Sequence, residues 1–173
     1  MPTIMLVYGT RPEAIKMAPI VDAVKAADDL TASVVVTGQH RAMLDQVNEL
    51  FGITPDHDLD VMTDRQSLTG LAATVMTKLG DVVAESRPDA LLVQGDTTTA
   101  AIAGLVAYYA GVPVFHLEAG LRSGRLDSPF PEEGNRKMVG QLAALHFAPT
   151  PEARANLLRE GVPYRTYATG WRG

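Results

Sequence analysis

ALLVQGDTTT at residues 90–99 joins an apolar run to a glycine turn and then to polar residues that favour the start of a helix. A near-continuous run such as Leu91-Leu92-Val93 is typical of a parallel strand that is covered on both faces. A strand, a tight turn and a helix in this order form the repeating unit of an α/β protein. The stretch therefore predicts a strand over residues 90–94 and a helix over residues 97–110.

The same alternation of strands and helices continues on both sides of this stretch. A Thr10/Glu13 capping box opens the first helix. Other helices are predicted at residues 41–51, 67–85 and 151–160. Strands are predicted at residues 3–9, 32–37, 112–117 and 145–148, with weaker ones at residues 59–62 and 164–168. The pattern predicts one Rossmann-like α/β domain over residues 1–170, built on a doubly wound parallel sheet.

Composition narrows the class of protein. The 173 residues are 46% hydrophobic and 20% charged, which suits one globular domain with its own core. The net charge of −5 includes no basic block, so nucleic acid is not expected as a partner. We expect no membrane span and no signal peptide, and the absence of cysteine excludes disulfides and thiolate metal sites. A cytoplasmic enzyme or binding domain is the expectation.

The first candidate functional cluster follows the first predicted strand. Open parallel sheets bind ligands beyond the carboxyl ends of their strands, where GTRPEAIK begins at Gly9. Backbone N–H groups at Gly9 and Thr10 and the guanidinium of Arg11 are suited to bind an anion such as phosphate. Lys16 lies further along the same helix. The alternative is a plain turn with a solvated lysine.

Two further clusters follow other predicted strands. Gln39 and His40 end the segment TGQH, although packing of His40 at a turn is as good an interpretation as ligand binding. Asp96 lies between a strand and a helix, where it is either a functional carboxylate or an N-cap.

The fourth cluster contains His116 and Glu118. Two positions apart, they are predicted to face the same side of one strand, and both are costly to bury without a partner. The alternative is a pair exposed where the strand frays.

A loop over residues 121–131 and the start of a helix extend this cluster. Arg122 lies in the loop, and Glu132, Glu133 and Arg136 open the helix. Helix-dipole preferences alone account for one of the glutamates. A loop of this length with glycine and two prolines nevertheless indicates an active-site loop.

These clusters converge on one kind of chemistry. Asp96, Glu118 and Glu132 bring three carboxylates to one edge of the predicted sheet, together with the cations Lys16 and Arg11. That combination is suited to general acid–base catalysis on a substrate that carries phosphate.

Six motifs resemble the non-hydrolysing UDP-N-acetylglucosamine 2-epimerases in order and spacing. They are GTRPEAIKMAP at 9–19, TGQH at 37–40, QGDT at 94–97, HLEAGLRS at 116–123, PFPEEGNR at 129–136 and HFAPT at 146–150. The resemblance implies one half of a two-domain GT-B type fold, with the active site in the cleft between the domains. It implies an isomerase that interconverts UDP-N-acetylglucosamine (UDP-GlcNAc) and UDP-N-acetylmannosamine (UDP-ManNAc) by eliminating UDP and adding it back.

The resemblance also implies roles for the residues. It implies catalytic roles for Lys16, Asp96, Glu118 and Glu132, and it leaves open which carboxylate is the base. Substrate binding falls to Gly9, Thr10, Arg11, Gln39, His40, His116, Arg122, Glu133 and Arg136. The family needs no metal or redox cofactor, is expected to form a homodimer, and serves cell-surface polysaccharide biosynthesis.

One departure bears on activity. Members of the family continue into a second domain that supplies most of the UDP site, whereas this sequence ends at Gly173, with Trp171 where asparagine is expected. We therefore expect the nucleotide clamp to lie outside this chain and the chain alone to be inactive. Alternatives are a hydrolysing relative, a non-catalytic binding module and, less favoured, half of a GT-B glycosyltransferase.

Overall fold

A computed structural model describes residues 1–38, 41–62, 66–162 and 166–168. Its helices are α1 (Arg11–Ala26), α2 (Arg41–Leu50), α3 (Leu68–Ser86), α4 (Thr98–Tyr109), α5 (Glu132–Leu142) and α6 (Pro151–Arg159). Its strands are β1 (Thr3–Tyr8), β2 (Thr31–Val36), β3 (His57–Asp58), β4 (Ala90–Gln94), β5 (Val114–Leu117), β6 (Leu145–Ala148) and β7 (Thr166–Ala168).

The strands form one sheet in the order β3-β2-β1-β4-β5-β6-β7, and every neighbouring pair is parallel. The order runs outward in one direction from β1 and in the other from β4, which makes the β1/β4 boundary a topological switch point. A crevice opens beyond the strands' carboxyl ends at such a boundary. The predicted doubly wound parallel sheet is confirmed, and its topology places the candidate site.

Successive residues of the central strands enter two different cores. In β1, Met5 and Val7 pack in the core beneath α3 and α4, whereas Leu6 and Tyr8 pack in the core beneath α1 and α2. All four side chains are buried. Because strand side chains alternate between faces, a sheet covered on both sides requires apolar residues at every position. This explains the unbroken apolar runs in the sequence.

The weak strand predicted at residues 59–62 is wrong. The edge strand β3 lies two residues earlier, where it pairs with Val35 and Val36 of β2. Asp60 has a left-handed φ of 43°, which interrupts the extended backbone after β3. The buried side chains of Leu59 and Val61 made this segment resemble a strand in sequence. Of the strand predicted at residues 164–168, the described part is β7.

Gly120 allows the segment after β5 to pass close beneath α6. Its φ is 88°, and a methyl group there would lie 2.1 Å from the carbonyl oxygen of Ala153. Asn156 on α6 completes the contact by donating a hydrogen bond to Gly120 O at 2.9 Å. Only glycine fits this close backbone approach. The contact fixes the path of the backbone immediately after Glu118.

Candidate active site

A cavity of about 250 Å³ opens at the switch point, beyond the carboxyl ends of β1, β4 and β5. Its walls come from the turns after these strands, from α1 and from α5. The lining residues are Thr10, Pro12, Glu13, Lys16, Gln94, Gly95, Asp96, Thr97, Glu118, Leu121 and Arg136. Five of the residues predicted from sequence are therefore together: Thr10, Lys16, Asp96, Glu118 and Arg136.

Glu118 is held from two sides. Its Oε2 atom accepts a hydrogen bond from Lys16 Nζ at 2.6 Å and another from Gln94 Nε2. Its Oε1 atom has no hydrogen-bond partner among the described residues. The backbone of Glu118 has a φ of 63°, a conformation that is uncommon outside glycine and costs free energy. The fold thus holds this carboxylate on an unfavourable backbone conformation, with one oxygen bound and the other without a partner among the described residues.

Asp96 has a similar arrangement. Its Oδ2 atom pairs with Arg136 Nη2, and its carbonyl oxygen accepts a hydrogen bond from Asn135 Nδ2 at 2.9 Å. No partner binds Oδ1 in the part of the chain that the structure describes. The N-cap alternative for Asp96 is wrong, because the cap of α4 is Thr97, whose hydroxyl accepts from Ala100 N at 3.0 Å.

Two N–H groups of the turn that leads into α1 are already occupied. Gly9 N and Thr10 N donate to Glu13 Oε2 at 3.0 and 2.7 Å. The prediction that these two groups are free to bind an anion is therefore wrong, since the capping glutamate takes their place. Substrate contact through other atoms of Gly9 and Thr10 stays a prediction. Arg11 is exposed at the first position of α1 and stays a candidate phosphate ligand.

Glu133 organises the loop over residues 121–131. Its buried carboxylate accepts from Ser123 N at 3.0 Å and Gly124 N at 3.3 Å, and lies 3.5 Å from Arg136 Nη1. Burial alone would raise the pKa of Glu133, but these N–H donors, with Arg136, lower it below the ordinary value. The structure thus places Glu133 behind Arg136, outside the cavity lining. Direct substrate binding by Glu133 stays a prediction.

His116 is enclosed beneath the cavity. It is fully buried, and its Nε2 atom lies 2.7 Å from Gly95 O, which makes Nε2 the protonated nitrogen of a neutral ring. Burial lowers its pKa to about 4. The prediction that His116 and Glu118 share a face of one strand is wrong, because β5 ends at Leu117. The alternative of a frayed, exposed pair is wrong as well. Substrate contact by His116 stays a prediction.

Arg122 and Glu132 lie outside the cavity lining. Arg122 is bound to Glu160 through two hydrogen bonds of 2.8 and 2.6 Å, so its guanidinium ties the loop to the end of α6. Glu132 is the first residue of α5 and is half-buried. Gln39 and His40 lie outside the described residues. The roles of these four residues stay predictions.

Three residues of the cavity were missed as functional in the sequence: Glu13, Gln94 and Thr97. In the sequence Glu13 reads only as half of a capping box, and Gln94 and Thr97 are only parts of a motif. The signal available in the sequence is Gln94, a polar residue at the end of an apolar strand. In the structure its side chain is buried. A buried amide needs a partner, and here the partner is Glu118.

Two classes of feature are absent from the described residues. No group of three or more His, Asp or Glu side chains there is arranged to hold a metal ion. None of the described helices combines the length and the apolar character that crossing a membrane requires.

Fold and cavity together define a Rossmann-like α/β domain in which two carboxylates, each paired with a cation, lie at the switch point. The sequence profile described as UDP-N-acetylglucosamine 2-epimerase matches residues 22–171, so the chain belongs to the UDP-N-acetylglucosamine 2-epimerase family. A UDP-N-acetylglucosamine 2-epimerase of Yersinia pestis is 53% identical over 168 residues, which cover 96% of this chain and 45% of that protein. The chain thus spans less than half the length of the curated relatives it matches.

Solved structures agree with this membership. The structure of S. aureus MnaA with UDP is 50% identical with a TM-score of 0.95, and the match covers 98% of this chain and 45% of that one. The UDP-GlcNAc 2-epimerase from Neisseria meningitidis, solved with UDP-GlcNAc bound, is 46% identical with a TM-score of 0.93. That match covers 97% of this chain and 46% of the other. The domain is one Rossmann-like half of a GT-B type fold, as predicted.

Proposed function

We propose that this chain forms the N-terminal half of the active site of a UDP-GlcNAc 2-epimerase, an isomerase that interconverts UDP-GlcNAc and UDP-ManNAc. The observation that carries the proposal is the pair Asp96 and Glu118. Each lines the same cavity, and each has one oxygen bound to a cation and the other without a partner among the described residues. A carboxylate fixed in this way is available to take or give a proton.

The proposed reaction has two halves. In the first, a base removes the proton from C2 of the sugar, the C1–O bond to UDP breaks, and the electron pair left at C2 forms a C1=C2 double bond. The products are 2-acetamidoglucal and UDP. In the second, a UDP oxygen bonds to C1 while an acid delivers a proton to C2 on the opposite face. We assign these proton transfers to Asp96, Glu118 and Glu132, with the assignment of base and acid left open.

Charge on the departing UDP needs compensation. We assign this role to Arg11, with Lys16 and Arg136 as the cations that line the cavity. The two cavity cations are held by Glu118 and Asp96, so they also link diphosphate binding to the position of the carboxylates. No redox cofactor is required, since the elimination and the addition involve no net oxidation.

The rest of the nucleotide site is assigned to the second half present in the longer relatives. On this basis we expect the 173-residue chain to bind UDP far more weakly than a full-length enzyme, because remote contacts supply binding energy. The full-length enzyme is proposed to be a cytoplasmic homodimer. Its product is proposed to supply cell-surface polysaccharide biosynthesis.

The decisive experiment follows the proton at C2. A full-length enzyme, in which this chain is completed by the half found in its relatives, is incubated with UDP-GlcNAc in D₂O. We expect UDP-ManNAc with one deuterium at C2, measured by proton NMR and mass spectrometry. Free N-acetylmannosamine and UDP would instead identify a hydrolysing relative. UDP-ManNAc without solvent deuterium, or no turnover at all, would overturn the proposed function.

A further inference from the structure

Glu13 joins two turns that are far apart in sequence. Its Oε2 atom accepts from the backbone N–H groups of Gly9 and Thr10, and its Oε1 atom accepts from Thr97 Oγ1 at 2.7 Å, 84 positions away. Only 2% of Glu13 is exposed. A carboxylate buried to this extent is costly unless hydrogen bonds compensate, and here both oxygens are used.

A capping box explains only one side of this arrangement. In the capping box of α1 the Glu13 side chain accepts from Thr10 N while the Thr10 side chain accepts from Glu13 N, and both contacts are local to the start of α1. The contact to Thr97 runs to a different helix. Because the Thr97 hydroxyl oxygen accepts from Ala100 N, its single proton is directed at Glu13, which fixes the orientation of the bridge. Glu13 therefore ties the beginning of α1 to the beginning of α4.

The bridge lies between the two groups proposed to carry the chemistry. Asp96 immediately precedes Thr97, and Lys16, which holds Glu118, lies one helical turn after Glu13 on α1. A continuous path thus leads from Asp96 through Thr97, Glu13 and Lys16 to Glu118. Each link is a covalent neighbour, a helical turn or a hydrogen bond.

We propose that Glu13 is a positioning residue that sets the placement of Asp96 relative to Lys16 and Glu118. The proposal rests on the proposed epimerase function and adds a residue to its machinery. Both oxygens of Glu13 are occupied by protein donors, so it acts through Thr97 and the α1 turn and leaves proton transfer to the other carboxylates. Small displacements of catalytic groups cost as much as about 100-fold in rate.

The test compares two threonines that cap helices in the same way. Thr97 caps α4 and bonds to Glu13, whereas Thr150 caps α6 through Ala153 N at 3.1 Å. In the full-length enzyme, Thr97→Val is expected to lower kcat between about tenfold and 100-fold with little change in KM. Both Thr97→Val and Thr150→Val remove a helix cap, so we expect the two variants to lower the melting temperature by similar amounts. In Thr150→Val, kcat is expected to stay near the wild-type value. Thr97→Ser keeps the hydroxyl and should restore most of kcat.

A double-mutant cycle identifies the partner. Glu13→Gln replaces one acceptor oxygen by an NH₂ group, and combining it with Thr97→Val should lower kcat little further than the worse single variant, because both act through one bridge. Effects on log kcat that simply add, a rise in KM with kcat preserved, or loss of activity in Thr150→Val equal to that in Thr97→Val would each overturn the positioning role.

Unfolding measurements on the wild type, the two single variants and the double variant distinguish failure of this proposal from failure of the proposed function. Urea unfolding of the 173-residue wild type, the two single variants and the double variant measures the coupling of Glu13 and Thr97 without any substrate. Independent, additive effects on unfolding would overturn the bridge itself. Absence of epimerase activity in the wild-type full-length enzyme would instead overturn the proposed function.

Discussion

Lys16 Nζ lies 2.6 Å from Glu118 Oε2, although 102 positions separate the two residues in the chain. The contact exists because α1 follows β1, Glu118 follows β5, and only β4 lies between these strands in the sheet. About half of the Lys16 side chain is exposed to solvent. An ion pair this exposed contributes about 1 kcal/mol or less to stability, so its main effect is on the orientation of Glu118.

Lys16→Met should therefore separate orientation from stability. In the full-length enzyme we expect kcat to fall by about 100-fold, because Glu118 loses one of its two donors and the cavity loses a cation. The melting temperature should change by only a few degrees. Lys137→Met is the matched control, since Lys137 is also partly exposed and lies 3.8 Å from Glu160, away from the cavity. Equal losses of kcat in both variants would contradict the assignment.

Neutralising any of the three candidate carboxylates should lower turnover and leave the fold intact. Asp96→Asn, Glu118→Gln and Glu132→Gln are each expected to keep the fold and to lower turnover by about 10²–10⁴-fold. Circular dichroism and steady-state kinetics on the full-length enzyme measure the two effects. Glu152→Gln, at an exposed ion pair with Arg159, is the control. A variant with wild-type turnover would remove its residue from the catalytic set, and Glu132 is tested most sharply because it lies outside the cavity lining.

Much of this arrangement follows from local sequence. The strands β4 and β6 have their predicted bounds, and in β4 an unbroken apolar run between Asp89 and Gln94 defines them. Asp96 was placed correctly at the carboxyl end of β4 for the same reason. Local patterns determine where a strand stops, and the parallel topology then brings the strand ends to one edge.

Contacts between distant segments did not follow from the sequence. The bridge from Glu13 to Thr97 depends on β1 and β4 being neighbours in the sheet, which no local pattern specifies. The contact of Glu13 with the N–H groups of Gly9 and Thr10 is, in contrast, local, and the Thr10/Glu13 capping box already indicates it in the sequence. The left-handed backbone of Glu118 was missed because glycine, the usual indicator of that conformation, is absent at this position.

Stability should depend on pH through His116. Its pKa is lowered to about 4 by burial, from an ordinary value of 6.5. Between these values the unfolded chain binds a proton that the folded chain does not. The contribution is complete above pH 6.5 and is lost as the pH falls toward 4, at about 1.4 kcal/mol per pH unit. Urea unfolding of the 173-residue chain from pH 4 to 8 measures this slope.

The variant His116→Gln isolates the contribution of this ring. Glutamine keeps an N–H group to donate to Gly95 O but does not titrate, so the slope between pH 4 and 6.5 should become shallower. His146, whose pKa is also lowered by burial, remains in both proteins. Identical slopes in wild type and variant would contradict the prediction.

A variant of Arg11 tests whether this residue binds the diphosphate or only supports the fold. It is exposed at the first position of α1, and none of the described hydrogen bonds or ion pairs includes it. If its guanidinium stabilises departing diphosphate, the benefit is largest where charge develops on UDP. Arg11→Ala in the full-length enzyme should then lower kcat by about 10²–10³-fold, more than it raises KM for UDP-GlcNAc, and leave the melting temperature unchanged. Arg87→Ala, at the C-terminal end of α3, is the control for loss of a guanidinium. A large drop in melting temperature with unchanged kcat would assign Arg11 to the scaffold instead.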